Sequence, residues 1–215
     1  MSTALIGRMT PDARREQLLQ AGIRLFREGP YEEISIDDIA RSAGVSKGLL
    51  YHYFPTKRDF LVAAVANSVD ELTGLLTFDP SLTPDEQADA SIDTFLGYVE
   101  ERSAGFTTIF RTRGGGDPEL TSIIAHGRSR RREFIIEGLG RLADTPLETL
   151  RTPVFEAAVE GWMFFAEGVM LRWLERGDID RPQVQRLLKA ALEQVLVISA
   201  AAQAATPLSM TEVRA

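Results

Sequence analysis

At Thr10-Pro11, Thr83-Pro84, Asp117-Pro118 and Thr152-Pro153 a side-chain acceptor stands directly before a proline. That pairing starts a helix. The acceptor caps an N–H of the first turn, and proline at the first helical position gives up only a donor that would be unpaired there. Ser35 with Asp38, Thr56 with Asp59 and Thr83 with Glu86 have the spacing of capping boxes, with Asp a shorter substitute for Glu in the first two. No stretch alternates apolar and polar residues with period two, and Val and Ile recur inside helical patterns instead. The chain is therefore expected to be all-α. About nine helices are expected, over 11–28, 35–42, 46–53, 56–77, 84–102, 104–112, 118–142, 153–176 and 181–204. The 118–142 helix has the clearest stripe (Leu120, Ile123, Ile124, Gly127, Arg131, Phe134, Ile135, Gly138, Leu142), with Arg131 as its polar interruption. Residues 145–151 form a connector with room for one short turn, and 206–215 read as a frayed tail.

Composition removes several functions. The 215 residues, 44% hydrophobic and 26% charged, suffice for a core that folds without staples. There is no cysteine, which excludes disulfides, Cys-ligated zinc, iron–sulfur clusters and thiol catalysis. HExxH, a phosphate-cradling glycine loop, clustered carboxylates at metal spacing and a nucleophile elbow are all missing, so neither metal nor cofactor is expected, and no enzyme. The longest unbroken apolar run, 60–66, is far short of the ~20 residues needed to cross a bilayer. Residues 1–11 lack a signal-peptide core, so the expected compartment is the cytoplasm, away from membranes.

The formal charge of −7 weighs against nucleic acid, but it is an average of two parts. Residues 1–60 hold nine Lys+Arg against eight Asp+Glu, net +1; residues 61–215 hold 15 against 23, net −8. From 41 to 58 there are four cations (Arg41, Lys47, Lys57, Arg58) and no acid.

That basic stretch lies in SIDDIARSAGVSKGLLYHYFPTK, residues 35–57. Ile36, Ile39 and Ala40 share an inward face. Ala43 permits a close crossing, Gly44 suits a left-handed helix end, and Ser46 caps the next helix. Two short helices around such a turn make a helix-turn-helix. In the second, Leu50 and Phe54 face the core and leave Lys47, Gly48, Leu49, Tyr51 and His52 outside. The exposed helix start attracts phosphate. Lys47 offers a donor to phosphate or guanine, Gly48 lets backbone approach a base edge, and Leu49 suits a thymine methyl. Tyr51 and His52 supply donors to the DNA backbone, and Lys57 joins a charge to the start of the following helix. The candidate DNA-binding residues are Ser35, Ser46, Lys47, Gly48, Leu49, Tyr51, His52, Tyr53 and Lys57.

RREQLLQAGIRLFREGPYEEISIDDIARSAGVSKGLLYHYFPTKRDFL resembles the N-terminal domain of tetracycline-repressor-type (TetR) transcriptional regulators. The matching positions include Leu18, Ala21, Phe26, Ile39, Ala43, Gly44, Val45, Ser46, Lys47, Gly48, Leu50, Tyr51, Tyr53, Phe54 and Lys57. Gly22 departs from it where a second Ala is usual, as do Ser35 for Thr and Leu49 for Thr or Ala. The resemblance implies a homodimeric repressor with a helix-turn-helix head (1–56), a connecting lever helix (56–77) and a larger C-terminal effector-binding and dimerisation domain (78–205). Its partners would be double-stranded operator DNA, a second copy of itself and a small, largely apolar effector that releases the DNA. The alternative is an all-helical carrier or enzyme with a vestigial head.

Two helices of the C-terminal domain are apolar over much of their circumference, which calls for a partner subunit or a cavity. The expected dimer seam is Phe155, Trp162, Phe165, Val169 and Trp173 on one helix and Val184, Leu188, Ala191, Val195 and Ile198 on the other. The expected pocket comprises Phe95, Tyr98, Phe106, Ile109, Phe110, Arg113, Ile123, His126, Gly127 and Phe134. The arginine run at 128 and 130–132 reads as a solvated face alternating with Glu133 and Glu137.

Overall fold

The structure is a computed structural model and describes residues 10–28, 33–103 and 116–204. Among these residues there are nine helices and no strand. They are α1 (Pro11–Glu28), α2 (Ile36–Ser42), α3 (Lys47–Tyr53), α4 (Lys57–Gly74), α5 (Pro84–Glu101), α6 (Pro118–Leu142), α7 (Leu147–Leu150), α8 (Pro153–Arg176) and α9 (Arg181–Ala204). The expected helix at 104–112 and the tail at 206–215 lie outside the described residues.

The starts read from sequence are capped as expected. Thr10 accepts from Ala13 N at 3.2 Å, Asp117 from Glu119 N at 3.0 Å, and Thr152 from Phe155 N at 3.2 Å. Thr83 and Glu86 close a full capping box at 2.9 and 3.3 Å. Helices α2, α3 and α4 each begin one residue later than expected because Ser35, Ser46 and Thr56 are caps, and α4 ends at Gly74 rather than at 77. The short turn in the 145–151 connector is α7, entered through Asp144 in a left-handed conformation (φ 48°).

The chain divides into two compact units, Met1–Leu72 with Val99–Gly127, and Thr73–Tyr98 with Arg128–Ala215. The first has a core of Leu18, Leu19 and Ile23 from α1, Ile36 and Ile39 from α2, Leu50 from α3, Phe54, and Phe60 from α4. Phe60 makes edge contacts with Phe26 (5.9 Å between centroids) and Phe54 (4.8 Å). The Cβ of an alanine at 22 would stand 2.3 Å from the Phe60 ring, so packing explains this glycine.

The second unit is built on α8 and α9 with the C-terminal part of α6. Ile136, Leu139, Phe155, Val159, Met163 and Val195 form its core. Lys189 of α9 reaches Asp85 and Asp89 of α5 at 2.8 and 2.7 Å. By length and composition alone α9 is long and apolar enough to cross a membrane. It is, however, an amphipathic helix with a charged contact to α5 and a buried stripe of Val184, Leu188, Val195 and Ser199.

Candidate nucleic-acid interface and ligand cavity

The turn between α2 and α3 is fixed by its own backbone. Ala43 N donates to Ile39 O, Gly44 N to Arg41 O and Val45 N to Ala40 O, at 2.9 to 3.1 Å. Gly44 sits at φ +67°, where a side chain would be strained. Ser35 and Asp38 form a reciprocal capping box on α2, and the Ser46 hydroxyl accepts from Leu49 N at 3.2 Å to open α3. With Leu50 and Phe54 fully buried, α3 has one possible rotation. It leaves Ser46, Lys47, Gly48, Tyr51 and His52 exposed and Leu49 and Tyr53 half-buried. His52 and Tyr53 meet edge to face at 5.2 Å. Nothing lies within 4 Å of where a Cβ on Gly48 would project, so this surface is open. Lys57 begins α4, after a capping box between Thr56 and Asp59.

The stretch that holds no acid in sequence is not bare in space. Lys47 pairs with Asp37 at 2.8 Å, Arg41 with Asp38 at 2.9 Å, and Arg58 with Asp117 (2.6 Å) and Glu119 (2.9 Å). Asp37 and Asp38 stand just upstream of the counted window, and Asp117 and Glu119 come from the start of α6. The Lys47 ammonium is held above its usual pKa by its hydrogen bond to Asp37, and Arg58 is raised by Asp117 and Glu119. Asp117 in turn is lowered to about 2, mainly by Arg58. These cations are therefore fixed charges that DNA phosphates would share with neighbouring carboxylates.

A cavity of about 160 Å³ lies wholly within the second unit. Phe78, Phe95, Phe134, Trp162, Met163 and Met170 are among its apolar lining residues, and Phe78 stacks on Phe134 at 4.4 Å. Of the expected pocket residues that the structure describes, Phe95 and Phe134 line it. Tyr98 is buried in the same unit but does not line the cavity. Ile123, His126 and Gly127 belong to the other unit, where His126 is exposed and Gly127 packs against Val69. Phe106, Ile109, Phe110 and Arg113 lie outside the described residues. Trp162 of α8, expected in the dimer seam, lines the cavity instead.

The residues expected in the seam divide by exposure. Phe155, Trp173, Val184, Leu188 and Val195 are buried within their own unit, where they form intrachain core. Trp162 is half-buried and donates its Nε1 proton to Leu188 O at 3.1 Å. Val169 and Ala191 are half-buried; Phe165 and Ile198 are exposed. The outward apolar residues are Val154, Phe164 and Phe165 on α8 and Leu187, Val197 and Ile198 on α9. Gly161 and Gly168 have open space where a Cβ would stand.

The arginine run also resolves by position. Arg132 pairs with Glu160 at 3.0 Å and Arg128 with Glu167 at 2.6 Å, while Arg131 turns inward and lines the cavity. The one sign of this in sequence was its place in the middle of an apolar stripe.

Comparison with known proteins matches both parts of the chain. The description "Bacterial regulatory proteins, tetR family" covers residues 18–64, and "Tetracyclin repressor-like, C-terminal domain" covers 84–197. The HTH-type transcriptional activator FasR of Mycolicibacterium smegmatis is 28% identical over 67% of this chain and 66% of its own length. The HTH-type transcriptional repressor KstR of Rhodococcus jostii is 34% identical over 34% of this chain and 35% of its own. The chain thus spans less than two thirds of these relatives. A tetR-family transcriptional regulator from Streptomyces coelicolor superposes with a TM-score of 0.80 at 26% identity, covering 90% of this chain and 85% of that one.

Proposed function

The chain belongs to the TetR family of bacterial regulatory proteins, and from that premise we propose that it is a sequence-specific DNA-binding transcriptional regulator. The observation that carries the reading is the rotation of α3. Burial of Leu50 and Phe54 points Lys47, Gly48, Tyr51 and His52 outward beside a Ser46-capped helix start. A major groove admits one such helix, with its N-terminal residues against base edges.

Reading a two-fold operator needs two copies of α3 about 34 Å apart, hence a homodimer. The exposed apolar residues of α8 and α9 are the surface for it, since an isologous contact uses one self-complementary patch twice. The cavity of the second unit is the effector site, and a small, largely apolar ligand would release DNA by binding better to the state that cannot bind DNA. In this reading residues 1–56 recognise DNA and 78–205 respond to the effector and self-associate. The protein works in the cytoplasm and catalyses no reaction.

A mobility shift with DNA from beside its own gene tests this. The expected outcome is a salt-sensitive, sequence-specific complex that Lys47→Ala or Tyr51→Ala weakens while the circular dichroism of the protein is unchanged. Equal binding to unrelated DNA would overturn it.

A further inference from the structure

The cavity wall contains a slot that the chain fills with its own ring. Phe134, Gly138 and Arg141 stand four and three residues apart on one face of α6. Phe78, from the connection between α4 and α5, lies along them. Its ring stacks on Phe134 at 4.4 Å between centroids and 25° from parallel, and the Arg141 guanidinium stands over it at 4.0 Å. Gly138 leaves the room for it, since a Cβ there would stand 3.8 Å from the ring. All four residues line the cavity, and Phe78 is half-buried.

The backbone on either side of this ring is fastened by one side chain. The Gln87 amide donates to Thr77 O at 3.2 Å and accepts from Asp79 N at 2.7 Å. Both neighbours of Phe78 are thereby tied to α5, while the ring itself is held by its face contacts. It can leave the slot by rotating about its own side-chain bonds, with the Gln87 hydrogen bonds intact.

The charged residues of the wall balance, Arg131 and Arg141 against Asp79 and Glu167. They are also engaged. Glu167 accepts from Arg128 at 2.6 Å and stands 3.9 Å from Arg131, Arg141 pairs with Glu137 at 2.7 Å, and Asp79 accepts from Ser81 N and Oγ at 2.8 and 2.6 Å. An ionic ligand would bring an unmatched charge to this wall and surrender its hydration. An uncharged ring compound avoids both costs. A cavity of about 150 Å³ takes up benzene, which sets the scale at one ring with a short substituent.

We propose that Phe78 is a built-in occupant of the slot formed by Phe134, Gly138 and Arg141, and that the cavity binds an uncharged one-ring aromatic compound, of roughly ten non-hydrogen atoms, whose ring takes its place. The proposal rests on the reading of this cavity as the effector site and adds to it that ligand and Phe78 compete for one surface.

The test is calorimetric titration of the full chain at neutral pH with methyl benzoate. Phenylacetate and phenethylammonium serve as charged matches of similar size, and methyl cyclohexanecarboxylate as the saturated match. Methyl benzoate should bind at least about tenfold more tightly than either ion. Phe78→Ala, which vacates the slot, should tighten methyl benzoate by about three- to tenfold and the saturated ester by less, because the slot offers a ring face and a guanidinium. Phe78→Leu, which removes the ring but keeps apolar bulk, should shift affinity the same way, and it provides the test if the Ala variant does not fold. Methyl benzoate that does not bind, ions that bind as well, or a Phe78→Ala protein whose affinity is unchanged or weaker, as for a plain wall residue, would each overturn the proposal. An equal gain for the saturated ester would do so too. The same samples, run in the mobility shift, separate the two readings. Methyl benzoate that competes with Phe78 without altering DNA binding strikes the effector reading and leaves the slot and its ligand class standing.

Discussion

Replacing Gly22 by alanine sets two effects of opposite sign against each other. Inside a helix, alanine is favoured over glycine by about 0.8–1.0 kcal/mol. Propensity alone therefore predicts a more stable protein. The structure predicts the reverse. The new Cβ would stand 2.3 and 2.6 Å from two atoms of the Phe60 ring and 3.2 Å from Ile39 Cγ2. Carbon atoms pack best at about 3.5–4.0 Å, so the ring must retreat by roughly 1 Å. It has little room, because Phe60 is fully buried between Phe26 and Phe54. Overpacking of this kind costs about 1–3 kcal/mol, which exceeds the propensity gain over most of that range. We expect a net loss of up to about 2 kcal/mol, read as a lower urea midpoint at unchanged slope. DNA affinity should fall too, since Phe54 ends α3 and moves with Phe60. A midpoint that rises would refute the packing argument and leave propensity in charge.

Gly48→Ala is the counterpart: with open space at its Cβ it should stabilise α3 by up to about 1 kcal/mol yet weaken DNA binding by blocking backbone approach, as paired melting and mobility-shift measurements would reveal. Asp37→Asn should tighten operator binding by a few-fold at low salt, because Lys47 no longer has to leave a carboxylate 2.8 Å away to reach phosphate; unchanged or weaker binding would contradict this. Asp117, lowered to about 2 by Arg58, contributes stability that is present above its unfolded pKa near 4 and is lost as pH falls toward 2. Acid unfolding of Asp117→Asn followed by circular dichroism should therefore depend less on pH across that window than the wild type. Gly44→Ala should cost about 1–2 kcal/mol from its positive φ alone, and thermal melting should detect the loss.

Much of the head was legible because its signals are local. Caps, the glycine of the turn and the Leu50–Phe54 pair are each decided within four residues, and each is where the spacing put it. The charge balance of the DNA face was less legible, because Asp117 and Glu119 approach Arg58 from some sixty residues away. The cavity was least legible. α8 is apolar around most of its girth, so periodicity could not say which stripe meets α6, which lines a hollow and which faces outward. Arg131 was readable only as an anomaly, a cation in an apolar stripe. The solvated-face reading of the arginine run holds for Arg130, which is exposed, and fails for Arg131.

The most direct test of the account is fluorescence anisotropy of labelled DNA from upstream of the protein's own gene, titrated with wild type and Lys47→Ala over a range of salt. The account predicts sequence-specific binding whose log affinity falls linearly with log salt, and a slope smaller by about one for the variant, as for a lost phosphate contact. Equal affinity for scrambled DNA, or a Lys47→Ala protein with wild-type affinity and slope, would contradict the assignment of α3 as the helix that enters the groove.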